Sequence, residues 1–171
     1  MIFDNARIDT LLLSMQSDLL SYMNEADIAS PVMVGIHSGG VLVARRLHVA
    51  MEIEEPLGEL NSGFYRDDFS SHGLQAQLKP SVMPLSVEGR HIILVDDVLY
   101  SGRTVRAAMN ELFDYGRPAS ITLVILIDRG NRELPIEAQV VGVRHVLEPD
   151  EYLQVTGPDQ LEMSIIRREN N

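Results

Sequence analysis

The sequence predicts an α/β domain: a central, mostly parallel sheet flanked by helices. Three observations carry this. His91-Ile-Ile-Leu-Val-Asp96 and Ser120-Ile-Thr-Leu-Val-Ile-Leu-Ile127 are near-continuous apolar runs rather than alternating ones, as strands covered on both faces require. Segments of helical period separate the strand-like runs. Glycine-bearing turns follow two of these runs, at Gly39-Gly40 and at Gly102, on the strand ends where open α/β sheets hold ligands.

The elements follow in order. Ile8, Leu11, Leu12, Met15, Leu19, Tyr22 and Met23 recur at helical spacing, with Asp4 or Asn5 as a cap. Pro31-Val-Met-Val-Gly-Ile36 reads as a buried strand. Gly39-Gly40 then breaks the chain, and Val41 to Met51 reads as a helix. Residues 57–65 read as a weaker strand, because Asn61, Ser62 and Gly63 are poor strand formers. Residues 66–84 mix Asp, Ser, Gly and Pro without period, as a functional flap or a partly disordered loop does. After the strand at 91–96 and its glycine turn, a helix runs from about Thr104 to Tyr115, with Val105, Ala108, Met109 and Leu112 on one face. Gly116 ends it, with Pro118 beyond. After the strand at 120–127, short strand-like runs near 139–143 and 161–166 close the chain. No repeat, linker or composition shift appears, so residues 1–171 read as a single domain.

Composition narrows the function. Apolar residues are 45% and charged residues 23% of the chain, a globular balance. The absence of cysteine excludes a disulfide scaffold, a Cys nucleophile and a thiolate metal site. One Lys and thirteen Arg face 25 acids, for a formal charge of −11. Such a chain repels polyanions unless its Arg cluster. The N-terminus lacks a basic start followed by an unbroken apolar region, and no apolar run approaches a membrane span of about 18 residues. The expectation is a cytoplasmic protein with no membrane partner.

The informative segment is Ile92-Ile-Leu-Val-Asp-Asp-Val-Leu-Tyr-Ser-Gly-Arg-Thr104. Asp96 and Asp97 stand at the end of a buried strand. Ser101-Gly102-Arg103-Thr104 then enters a helix, where free N–H groups and the positive helix end suit a phosphate monoester. Adjacent carboxylates repel phosphate, so they are expected to face ribose hydroxyls and a Mg²⁺-bound sugar. Neither a P-loop nor a dinucleotide fingerprint is present. A second glycine loop, Gly35-Ile-His-Ser-Gly-Gly40, follows the first strand and can offer successive N–H groups to an anion.

Residues 92–104 resemble the phosphoribosyl-pyrophosphate (PRPP) motif of type I phosphoribosyltransferases. Val95 to Ala108, Gly116-Arg-Pro118, Asp128-Arg-Gly-Asn-Arg-Glu-Leu-Pro-Ile136 and Tyr65-Arg-Asp-Asp68 narrow the match. They are similar to the PyrR family, pyrimidine-operon attenuation proteins that also act as uracil phosphoribosyltransferases. The resemblance covers roughly residues 30–143. It implies a type I phosphoribosyltransferase-like fold with a small hood and a flexible loop. It assigns the ribose and, indirectly through PRPP, Mg²⁺ to Asp96 and Asp97. It assigns PRPP and its 5′-phosphate to Val98, Leu99, Tyr100, Ser101, Gly102, Arg103 and Thr104. Pyrophosphate falls to His37, Ser38 and Gly39, where the family commonly carries Lys-Thr-Arg. Arg66 is expected to close over pyrophosphate from the long loop. Arg129 is expected to contact the base, with Asp128 positioning it. In 6-oxopurine enzymes an Asp stands where this chain has Tyr100, so the resemblance points away from purine salvage. His48, His72, His91 and His145 show no metal-ligand spacing.

The reaction implied is uracil plus PRPP giving UMP and pyrophosphate, in a homo-oligomer, a dimer. The rival is a UMP-responsive RNA-binding attenuator with weak catalysis. RNA affinity needs a basic face, and Arg7 is the one Lys or Arg in residues 1–44. Attenuation therefore ranks below catalysis. A phosphoribosyltransferase for another base is a third reading.

Overall fold

The computed structural model describes residues 5–61, 80–148, 151–157 and 161–167. Helix α1 (Asn5–Glu25) leads into β1 (Val32–Ile36), α2 (Gly39–Ala50) and β2 (Gly58–Leu60). Strand β3 (His91–Leu99), helix α3 (Arg103–Asp114), β4 (Ser120–Asp128) and β5 (Val140–Arg144) follow. Strands β6 (Glu151–Thr156) and β7 (Glu162–Arg167) form a separate antiparallel pair. The main sheet has the order β2-β1-β3-β4-β5, and its four pairings are parallel.

The unbroken apolar runs follow from two-sided burial. Side chains alternate along a strand, and both sets are covered here. Met33, Ile93, Val95, Val124 and Leu126 face Ile8, Leu12, Met15 and Leu19 of α1 and Val43, Ala44 and Leu47 of α2. Val32, Val34, Ile92, Leu94, Leu123 and Ile125 face Val105, Ala108 and Leu112 of α3. Each fully buried aliphatic side chain contributes about 1.5–3 kcal/mol. Val155 of β6, Met163 of β7 and Leu161 just before β7 join the core on the α1–α2 side.

Several expected boundaries move. Helix α2 starts at Gly39 rather than Val41. The two glycines lie in its first turn because β3 passes too close for side chains. A Cβ on Gly40 would sit 2.7 Å from the Val95 carbonyl oxygen and 2.8 Å from the Asp96 Cα, and one on Gly39 would overlap the Asp97 carboxylate. Strand β3 runs through Leu99 instead of ending at Asp96, because β4 supplies partners as far as Ile127 and Asp128. Strand β2 covers Gly58–Leu60 and has ended by Asn61, while residues 62–65 of the expected strand and 66–79 of the expected flap lie outside the described residues. Val82, from the end of the expected flap, pairs with Glu59 along the β2 edge. Strand β6 was not expected, since only Val155 in it is buried and no apolar period marks it.

Candidate functional site

The chain leaves β1 for β2 on one side of the sheet and returns to β3 on the other. The carboxyl ends of β1 and β3 thus flank the point where strand order reverses, the place where such sheets bind ligands. The loop after β1 carries His37, Ser38 and Gly39; the turn after β3 carries Tyr100 to Thr104.

In that turn Gly102 caps α3 with φ of +92°. The nearest atoms to a Cβ there, from Leu134 and Ile136, are at ordinary contact distance of 3.4 Å. Glycine is thus required by the left-handed backbone, not by lack of space. Ser101 is fully buried, and its hydroxyl accepts the Arg103 N–H at 3.3 Å. The Ser101 carbonyl accepts the N–H groups of Glu133 and Leu134, both at 3.0 Å. The Leu99 carbonyl accepts the Arg129 N–H at 2.9 Å. Arg103 pairs with Glu133 through Nε at 2.7 Å and a terminal nitrogen at 2.6 Å. Both side chains are about half exposed, so this pair contributes only about 0.2–1 kcal/mol. It orients Arg103 more than it stabilises the fold.

Val98 and Leu99, expected among the phosphate contacts, belong to β3. The Leu99 side chain lies in the α3-side core and its carbonyl is taken. The turn proper is Tyr100 to Thr104.

Asp96 and Asp97 are buried, 3% and 6% exposed. One oxygen of Asp96 accepts the Asp97 N–H at 3.0 Å, and one of Asp97 accepts the Val98 N–H at 3.0 Å. Both carboxylates lie against the first turn of α2, Asp97 over Gly39 and Asp96 by Gly40. The fold therefore joins the carboxylates to the 37–39 loop, which sequence separation hides. His37 leans on β2: its Nε2 lies 2.9 Å from a Glu59 carboxylate oxygen, and Arg45 meets the other oxygen at 2.7 Å. The His37 N–H donates to the Leu60 carbonyl at 2.8 Å.

On β4 the expectation that Asp128 positions Arg129 is corrected. Asp128 instead pairs with Arg132 at 2.6 Å and accepts the Gly130 N–H at 2.8 Å, with Arg144 at 3.9 Å. Burial pushes the Asp128 carboxyl up, but the Arg132 hydrogen bond, the Gly130 N–H and the Arg132 and Arg144 charges together hold it below the ordinary carboxylate value. Arg129 lies over the Tyr100 ring, 4.4 Å from its centroid, and donates to the Glu151 carbonyl at 3.1 Å. That joins the phosphate turn to β6. Arg66 lies outside the described residues.

Arg132 is the residue that sequence reasoning missed. One terminal nitrogen donates to the carbonyls of Tyr100 at 2.9 Å, Gly130 at 3.1 Å and Leu99 at 3.4 Å. Its Nε donates to the Ile136 carbonyl at 3.0 Å. Its one signal in the sequence is its place inside the 128–136 match.

A magnesium ion is expected to arrive on the diphosphate of PRPP, not in a cage of protein ligands. The donor set fits that. Among the described residues no cluster of three His, Cys, Asp or Glu could hold a metal ion. Asp96 and Asp97 stand beside the two turns as oxygen donors a metal-bearing substrate can meet. No helix among the described residues is long and apolar enough to cross a membrane.

Residues 15–161 match the family model described as the phosphoribosyl transferase domain. The chain is 54% identical over 160 residues to a bifunctional protein PyrR of Nitrosococcus oceani, covering 92% of this chain and 90% of that protein. It is also 54% identical over 151 residues to a bifunctional protein PyrR of Pseudomonas paraeruginosa, covering 88% and 89%. In fold it resembles the crystal structure of the hypoxanthine phosphoribosyltransferase of Trypanosoma cruzi, with a TM-score of 0.67 at 16% identity over 98% of this chain and 95% of that one.

Proposed function

The chain belongs to the phosphoribosyltransferase family, in its PyrR branch, and from that premise we propose that it is a cytoplasmic, PRPP-dependent uracil phosphoribosyltransferase. The observation that carries this reading is the glycine-capped turn at the strand-order reversal, with two buried carboxylates beside it. Uracil as the base rests on the PyrR resemblance, supported by Tyr100 standing where purine enzymes of this superfamily place an Asp.

Transfer breaks the bond between ribose C1 and pyrophosphate. Positive charge develops on the ribose and negative charge on the leaving group. The chain's part is charge stabilisation and positioning, without a covalent intermediate. Ser101 to Thr104 hold the 5′-phosphate through backbone N–H groups. Asp96 and Asp97 accept the ribose hydroxyls and face the developing positive charge. His37, Ser38 and Gly39 receive the pyrophosphate at the first turn of α2. Magnesium, when bound with PRPP, neutralises the departing diphosphate. Arg129, stacked on Tyr100 at the end of β4, is the base-side cation. The test is UMP formation from uracil and PRPP with and without Mg²⁺, beside a panel of other bases. No UMP, with turnover of a different base, overturns the uracil assignment.

The relatives' description as bifunctional supports a second reading, UMP-responsive attenuation by RNA binding. The arginines that could make a basic face across the fold argue against a strong one. Arg45 pairs with Glu59, Arg46 with Asp9 and Arg167 with Glu151, while Arg144 lies 3.9 Å from Asp128. Arg168 lies outside the described residues. Binding to a pyrimidine-operon leader is expected to be weak at physiological salt, about 10⁻⁴–10⁻⁶ M and steeply salt-dependent. Nanomolar, UMP-dependent binding to one hairpin would put attenuation first.

A further inference from the structure

The end of β3 is held by the segment that follows β4. Three consecutive carbonyls, of Leu99, Tyr100 and Ser101, all bond to groups in residues 129–134. In a trans peptide the C=O and the following N–H point in opposite directions. Capturing these carbonyls on one side therefore turns the N–H groups of Tyr100, Ser101 and Gly102 to the other. An anion that meets the turn there finds donors; a flipped peptide would present it with a carbonyl oxygen.

The captures differ in kind. The Leu99 and Ser101 carbonyls meet backbone N–H groups of Arg129, Glu133 and Leu134. The Tyr100 carbonyl meets the Arg132 guanidinium. That guanidinium is itself fixed, by Asp128 at one terminal nitrogen and by the Ile136 carbonyl at Nε. Its planar fork serves several acceptors from fixed directions, whereas a Lys ammonium is a compact charge with rotatable donors on a flexible stem. Asp128 also balances its charge, so Arg132 acts on the turn through geometry.

We propose that Arg132, locked by Asp128, is the positioning residue of the 5′-phosphate site, holding the Tyr100–Ser101 peptide so that its N–H faces the phosphate. This rests on the phosphoribosyltransferase reading above. It adds a determinant of phosphate affinity that lies under the turn, on the segment after β4.

Calorimetry of wild type, Arg132→Met and Arg132→Lys with UMP, ribose 5-phosphate and uridine tests it, with thermal unfolding as the check on folding. Arg132→Met is expected to weaken UMP and ribose 5-phosphate by about tenfold or more, and uridine by less than about twofold. Arg132→Lys is expected to fall between. Should Arg132→Met fail to fold, Arg132→Lys and Asp128→Asn carry the test, each expected to weaken UMP about threefold with uridine unchanged. A folded variant that keeps wild-type UMP affinity, or loses UMP and uridine equally, overturns the role of Arg132. Wild-type protein that binds no 5′-phosphorylated sugar overturns this proposal and the functional reading together. Wild-type protein that binds ribose 5-phosphate but makes no UMP overturns only uracil as the base, and a phosphate-specific loss in Arg132→Met then still supports the clamp.

Discussion

The loop after β1 and the turn after β3 stand on either side of one strand-order reversal, and both are proposed to receive anions. They are held in different ways. The β3 turn is underpinned by backbone bonds from Arg129, Glu133 and Leu134 and by the Arg132 fork. The β1 loop leans on the His37–Glu59 contact and on the Leu60 carbonyl. Glu59 is shared with Arg45 from α2. One region has its shape set by consecutive chain neighbours of the strand beside it; the other depends on an ionisable pair with an edge strand. The difference suits their proposed tasks. A 5′-phosphate is present in substrate and product alike, whereas pyrophosphate must be gripped and then released.

The carboxylates between the two regions should show the largest effect. Replacing both, Asp96→Asn with Asp97→Asn, is expected to cut transfer by about 10²–10³ or more with the fold retained by circular dichroism. Near-normal UMP synthesis would separate the carboxylates from both regions. Next comes the β3 turn itself. Gly102→Val forces a β-branched residue to φ of +92°, at a cost of about 1–3 kcal/mol. Restoring the turn when ligand binds costs up to the same amount, roughly fivefold to 150-fold in affinity. UMP and PRPP should weaken together, because both carry the 5′-phosphate; unchanged UMP affinity by calorimetry would contradict the cradle.

The β1 loop should respond less and more selectively. Glu59→Gln removes the charge partner of His37 and Arg45. A half-buried pair of this kind contributes about 0.2–1 kcal/mol, so KM for PRPP should rise up to roughly fivefold. UMP, which has no pyrophosphate, should bind as before. An equal loss for UMP and PRPP would erase the distinction between the regions. The smallest effect is a pH dependence. Asp128 has its carboxyl held below the ordinary value of 3.8. Its stabilisation is therefore complete above that value and is lost as pH falls through the lower folded-state value. The stability gap between wild type and Asp128→Asn, from denaturant titrations, should be flat above about pH 5 and shrink towards pH 3. A gap independent of pH over that range would show that the Asp128–Arg132 contact stabilises through packing alone.

Legibility followed burial and locality. Strands β3 and β4 were plain because two covered faces demand unbroken apolar residues. Strand β6 was invisible because Val155 is its one buried side chain. Gly102 was legible as a site glycine from its neighbours Ser101, Arg103 and Thr104. Gly39 and Gly40 were read as a break because nothing local reveals that β3 passes 2.7–2.8 Å from where a Cβ on Gly40 would stand. The place of Val98 and Leu99 inside β3 was hidden for a related reason: whether a strand continues depends on the length of its neighbour, and β4 extends to Asp128.

By itself the sequence determined the α/β class, the family and the local chemistry of residues 92–104. Those depend on contiguous residues: apolar period, a carboxylate pair, a glycine before a helix. What only the tertiary structure decided is which distant residues meet that segment. The order β2-β1-β3-β4-β5 sets His37 to Gly39 on one side of Asp96 and Asp97, and residues 128–136 beneath Tyr100 to Gly102. Arg132 reaches the Leu99 and Tyr100 carbonyls because β3 and β4 end side by side in parallel register. A guanidinium finds its carbonyls across a sheet, about thirty residues away in the chain, and no local pattern can encode a partner that strand pairing brings within reach.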